Sequence, residues 1–243
     1  MKKVFILGAI ATLFLAQGAK AQTNFQTFYD FGRGHVTTTL EGYYGDKWGD
    51  TFFFVDYDYD HTKDSAVEKG VSGSYFEIAR GINFWQDTAL KSLSAHVEYN
   101  GGVNFKSANF LFGVNYFLHN ADFSNTFTFE LMYKTFQGSS SDIPLQFTFV
   151  WGMNNFLGVN GLKFSGFADI WGENTPYWYG DPATDQAEEG KFIFLSEPQL
   201  WYNVGKLFGM DNLHIGTELE FSYNFAGCSG FYFRPCLGTK WVF

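Results

Sequence analysis

After residue 21 the chain has no run of about 20 apolar residues, so nothing in the mature sequence can cross a bilayer as a helix. Basic residues are scarce as well. Removing Lys2, Lys3 and Lys20 from the 16 basic residues leaves 13 against 25 acids, a formal charge of −12, which argues against nucleic acid or anionic headgroups as partners. Cysteine occurs only at 228 and 236. No G-x-S-x-G or H-E-x-x-H motif is present, and the 27 glycines are scattered through strands and turns without forming a phosphate-binding loop. Aromatic residues are abundant: they make up 21% of the chain, with 31 Phe, while mean hydropathy lies slightly below zero. That combination excludes a helical membrane protein and suits a barrel whose strands hide every second residue in lipid.

The one long apolar run, 4–16, follows Lys2 and Lys3 and precedes Ala19-Lys20-Ala21, an A-x-A site. Residues 1–21 therefore read as a secretory signal peptide, with the mature chain, 22–243, starting at Gln22. No Cys follows the site, which argues against a lipid-anchored N-terminus.

Residues 40–59, LEGYYGDKWGDTFFFVDYDY, set the pattern for the rest: two alternating segments joined by a short polar turn, a β-hairpin. Phe53, Val55, Tyr57 and Tyr59 fall on one face, and Phe52, Phe54, Asp56 and Asp58 on the other. Twelve such segments follow one another, near 24–31, 36–44, 51–60, 73–84, 92–100, 106–118, 123–136, 143–153, 161–171, 191–204, 212–225 and 231–243. No helical period would supply a cover for their apolar faces. The pattern predicts an all-β fold, a transmembrane antiparallel β-barrel of 12 strands whose closure leaves no sheet edge. Connections at 45–50, 86–91, 119–122, 154–160 and 205–211 are short and turn-like, as periplasmic turns are. The insertions 60–72 and 172–190 are the longest and acidic, as extracellular loops are. The last segment places Leu237, Thr239, Trp241 and Phe243 on one face, and a C-terminal Phe of this kind is similar to the signal read by bacterial outer-membrane assembly machinery. The expected location is the outer membrane of a Gram-negative bacterium, with its lipid and assembly machinery as partners.

Leu40-Glu41, the Asp46-Lys47-Trp48 turn, the strand FFFVDYDYD and Phe76-Glu77-Ile78 together resemble the Tsx-like nucleoside-specific outer-membrane channels over residues 38–84. Strand lengths, loop order and the terminal aromatic agree with that family more loosely. The resemblance implies a passive channel whose permeants are nucleosides, with no cofactor, no metal and no enzymatic activity.

Alternation itself gives the inward faces. The expected pore lining is Glu41; Phe52, Phe54, Asp56 and Asp58; Tyr75 and Glu77; Glu98; Asn115; Glu130; Phe167 and Asp169; Glu197, Gln199 and Trp201; Glu218 and Glu220; and Arg234. Thr37, Thr39, His96, Phe117, Lys134, Gln146, Lys163 and Lys240 share those faces. A Lys or Arg facing lipid at mid-bilayer would cost about 2–4 kcal/mol. Arg80 breaks the rule by falling with Phe76, Ile78 and Ile82, so either a bulge near Gly81 turns it inward or it snorkels at the rim. Inward rings can stack a base and inward carboxylates can accept ribose hydroxyls; equally, the same side chains could simply fill a narrow barrel. His96 and Ser94 share a face, but without an orienting acid they make no nucleophile–base pair. The i, i+2 carboxylates Asp56/Asp58 and Glu218/Glu220 could bind a cation, though any inward strand face produces that spacing. Cys228 and Cys236 would form a disulfide if 226–235 is one loop, and would be out of reach of each other if the last strand starts at Phe231. The alternatives to a channel are a closed or non-selective barrel used for docking or adhesion, and a surface hydrolase.

Overall fold

The computed structural model describes residues 20–60, 70–103, 108–177 and 188–243. Almost all of the segment read as signal peptide, and most of the 60–72 and 172–190 insertions, lie outside the described residues. Thirteen strand segments are present: β1 (Lys20–Asp30), β2 (His35–Asp46), β3 (Gly49–Asp60), β4 (Gly70–Ile82), β5 (Leu93–Val103), β6 (Asn109–His119), β7 (Asn125–Lys134), β8 (Leu145–Asn154), β9 (Leu162–Tyr177), β10 (Glu188–Ser196), β11 (Gln199–Tyr202), β12 (Leu213–Tyr223) and β13 (Phe231–Val242). Among the described residues the helical structure is two short 3-10 turns, Phe156–Gly158 and Val204–Phe208.

Apart from β10 and β11, consecutive strands pair antiparallel, and β13 pairs with both β12 and β1, which closes the sheet. β10 and β11 are two halves of one stave. Both lie between β9 and β12, and the register on either side of their junction is the same: Ser196 faces Ala168 and Phe221, Gln199 faces Ser165 and Glu218. Pro198 causes the break, since it has no N–H to give the ladder. The result is a closed barrel of twelve staves, as the alternation predicts.

The two faces separate cleanly on β6. Phe110, Phe112, Val114, Tyr116 and Leu118 are between 39% and 49% exposed, whereas Asn109, Leu111 and Asn115 are 6% or less. Keeping a large apolar side chain in water forgoes about 1.5–3 kcal/mol of burial, so an outward belt of this kind needs lipid against it. Leu237, Trp241 and Phe243 lie on this outer face too, all exposed. Both ends of the described chain lie with the short turns. The opposite end is not uniformly long, because β1 and β2 are joined there by residues 31–34 alone.

Arg80 stays outward. Its register against Thr51 is unbroken, the irregularity between β3 and β4 lying far off at Asp58/Tyr59. The guanidinium snorkels to the turn end, donating to Thr51 Oγ1 at 3.0 Å and to Asp46 Oδ1 at 2.9 Å. The Arg80 bond to Asp46, with the Trp48 N–H, holds the exposed Asp46 carboxyl below the usual range. Its stabilising contribution is therefore present above the unfolded carboxyl's pKa and is lost as pH falls through the lowered folded value. Exposed pairs contribute about 0–1 kcal/mol. Asp46→Asn should accordingly leave the urea-unfolding midpoint of the detergent-solubilised barrel almost unchanged at pH 7.

The cysteines do not pair. β13 begins at Phe231, so Cys236 sits buried well down the wall, while Cys228 is in the preceding loop; both thiols are free. Cys228 Sγ instead lies 3.6 Å from Arg234 Nη2.

Candidate functional site

Register sets which inward side chains share a depth. Glu41, Phe54, Glu77 and Asn100 form one row across β2–β5, and Thr39, Asp56 and Tyr75 form the adjacent row across β2–β4. Phe52 and Phe54 have ring centroids 5.9 Å apart, and Phe54 and Tyr75 are 5.6 Å apart. Thr39 Oγ1 donates to Asp56 Oδ1 at 2.6 Å, Thr37 Oγ1 to Asp58 Oδ1 at 2.7 Å, and Asn24 Nδ2 to Glu41 Oε1 at 2.8 Å. The threonines thus aim the carboxylates, while the rings between them remain half-buried.

The opposite wall carries Phe167 and Asp169 on β9, Gln199 on β11 and Glu218 on β12, with Glu197 in the β10–β11 break. All five are half-buried. Gln199 Nε2 donates to Glu218 Oε2 at 2.6 Å, and Gln199 Oε1 accepts from Trp201 Nε1 at 2.8 Å. Among the described residues, none of Asp56, Glu77, Asp169, Glu197 and Glu218 forms an ion pair with a cationic side chain. The half-buried strip of the lumen is therefore aromatic and rich in carboxyl groups that make no direct ion pair.

Other expected lining residues point inward but are covered by neighbours. Trp201 is fully buried, with Phe28 5.5 Å away and the Lys240 ammonium 4.0 Å from its ring centroid, so neither face is free to stack. Glu98, Glu220 and Arg234 are buried in side-chain networks, and Asn115 is buried as well. Glu130 lies inward on β7, facing Asn115. Near the short-turn end a cavity of about 50 Å³ lies among Asn24, Glu41, Lys163, Trp201, His214 and Lys240. It has room for a water or two, whereas pockets for organic ligands span about 300–1,000 Å³.

Several lumen residues escape the sequence reading. Asn24, Gln26, Phe28 and Asp30 form the buried inward face of β1; their alternation with Phe25, Thr27 and Tyr29 is visible in the sequence and could have found them. Asp50 and Asn100 continue faces already identified on β3 and β5. Arg33 had no such signal, because it belongs to the 31–34 turn and enters the lumen only by pairing with Asp30 and Glu220.

A family model described as a domain of unknown function (DUF5020) matches residues 21–243. The chain belongs to this family. Comparison with curated proteins gives no match. Two solved structures similar to this DUF5020 member are the NanC porin (TM-score 0.55, 9% identity, covering 90% of this chain and 98% of that one) and the KdgM porin in complex with disordered oligogalacturonate (TM-score 0.51, 8% identity, covering 91% and 99%). At these identities the shared property is the fold, the closed antiparallel barrel of outer-membrane porins. Neither the family model nor these structures singles out the Tsx-like channels, to which the residue-level likeness is confined to 38–84.

Proposed function

We propose that this DUF5020 member is a passive channel of the Gram-negative outer membrane, conducting small polar solutes with nucleosides as the favoured class. In this reading it is exported by removal of residues 1–21 and inserted by the assembly machinery, and it uses no cofactor and catalyses no reaction. The observation that carries the proposal is the alternation of rings and carboxylates along the inward rows of β2, β3 and β4. A ring face takes a flat base, and an adjacent carboxylate accepts from ribose hydroxyls. The unpaired acids decide the charge class. The KdgM porin was solved with oligogalacturonate, a polyanion; here Asp56, Glu77, Asp169, Glu197 and Glu218 would repel an anionic permeant and favour neutral or cationic ones.

The small cavity and the buried networks favour one competing reading, a closed barrel whose exposed loops dock a partner. Purified protein in planar bilayers separates the two. Under a KCl gradient the reversal potential should show preference for potassium over chloride, and added nucleoside should reduce the current. Chloride preference, or no effect of nucleoside, overturns the channel as proposed; absence of conductance favours the closed barrel. Ester or peptide turnover by the same preparation would instead indicate a hydrolase.

A further inference from the structure

On the wall formed by β5, β6 and β7, His96 and Glu98 project inward from β5 and Glu130 from β7, with β6 between them. Gly113 lets them meet. It pairs with His96 on one side and Met132 on the other, so no side chain at that position separates the imidazole from the far strand. His96 Nε2 lies 3.4 Å from Glu98 Oε2, and Nδ1 lies 3.8 Å from Glu130 Oε1.

Both separations exceed the roughly 2.7–2.9 Å of a charge-assisted hydrogen bond. His96 is 6% exposed, and its Nδ1 is a buried atom with no hydrogen-bond partner. With both contacts longer than a charge-assisted hydrogen bond, the imidazole and the two carboxylates face one another in a buried wall, an arrangement relieved by a cation held among them, either a metal ion or a proton. Glu98 is also held in place. Asn100 Nδ2 donates to its Oε1 at 2.8 Å, and Asn109 Nδ2 in turn donates to Asn100 Oδ1 at 2.9 Å, leaving Glu98 Oε2 turned toward the imidazole.

One ring nitrogen and two carboxylate oxygens, all within 4.8 Å of one another, make a three-ligand set. Tetrahedral donors at bond lengths of about 2.0–2.2 Å stand about 3.4 Å apart, so ligand atoms lying within 4.8 Å of one another would draw in by up to about 1.4 Å to close round an ion. We propose that His96, Glu98 and Glu130 bind a divalent transition cation of the zinc type, with Asn100 and Asn109 as positioning residues. Mixed imidazole and carboxylate donors suit such an ion, and three protein ligands leave a fourth position for water. The ion would tie β5 to β7 across β6 and place positive charge in a wall otherwise rich in acids.

The competing account is an imidazolium shared by two glutamates with no metal. Untagged protein, folded in detergent and stripped with a chelator, distinguishes them by zinc titration in a calorimeter. One zinc per chain is expected, weakened by at least about tenfold in His96→Gln and Glu130→Gln and unchanged in Asp56→Asn, which removes a lumen acid remote from the cluster. Absence of stoichiometric uptake overturns the proposal, as does uptake indifferent to His96→Gln or equally lost in Asp56→Asn, the latter marking diffuse binding to the acidic lumen. Cobalt added to the wild-type protein provides a readout that needs no variant to fold. Visible d–d absorption that zinc displaces is expected; its absence counts against the site.

Discussion

Replacing Phe52 and Phe54 together with Ala should lower nucleoside flux into liposomes at limiting concentration by about tenfold or more, while ion conductance stays level or rises. A base stacked on an aromatic ring gains about 1–3 kcal/mol, and 1.4 kcal/mol corresponds to a factor of ten in occupancy. The two rings and Tyr75 are adjacent along the inward rows, so removing two of the three dismantles the stacking surface and widens the lumen at the same time. Phe53 and Val55 are the control. They pair with Ile78 and Phe76 on the outward face, so Phe53→Ala with Val55→Ala should cost stability in the bilayer and leave selectivity intact. If the outward pair removes selectivity and the inward pair does not, the register of β3 is off by one residue and every inward assignment derived from it fails.

How much of this was legible in the sequence depends on the range of the interaction that decides it. Alternation is local, and it was enough to give twelve staves, the inward set on β3, β4 and β9, and the closing strand with its outward Trp241 and Phe243. Pro198 is visible too, but alternation carries through it and predicts one strand over 191–204. Proline interrupts the ladder there without shifting register, because it removes one N–H and leaves the count of residues on the stave unchanged. The fate of Arg80 required register against β3 and the position of Asp46, so periodicity alone left two answers open.

Burial inside the lumen is the part that periodicity cannot give. Trp201 and Phe167 have the same parity on neighbouring staves, yet one is fully covered and the other half-open, because Phe28 and Lys240 from the far end of the chain close over the indole. The disulfide question turned on a single local fact, whether β13 starts before or after Pro235. Pro235 is tolerated inside the strand, opposite Leu219, and this puts Cys236 on the inner wall. The meeting of His96 and Glu130 takes place across an intervening strand that carries Gly113 at that row, and parity carries no information about gaps of that kind.

Glu220→Ala should destabilise the folded barrel by about 3–5 kcal/mol, read as a lowered urea midpoint by tryptophan fluorescence in detergent. Glu220 is 4% exposed and holds two guanidinium groups at once: Arg33 Nη2 lies 2.5 Å from its Oε2, and Arg234 Nη1 lies 2.5 Å from its Oε1. Ser222 Oγ donates to the same Oε1 at 2.8 Å. Removing the carboxylate leaves buried Arg234, among the described residues, with Ser222 Oγ and the Cys228 thiol as hydrogen-bond partners and the Tyr232 ring centroid 4.6 Å away, and leaves Arg33 with Asp30 as its described ion-pair partner. Because Arg33 belongs to the 31–34 turn, the turn also loses its tie to β12. Glu220→Gln keeps oxygen and shape but loses the charge, so its effect should be smaller than that of the alanine variant. Asp142→Asn is the comparison at the same end of the barrel. Asp142 pairs with Lys191 at 3.1 Å, but both side chains are more than half exposed, and the variant should produce no measurable change. If Glu220→Ala behaves like Asp142→Asn, the two arginines are solvated in the folded protein and this end of the lumen is open to water rather than sealed by the network.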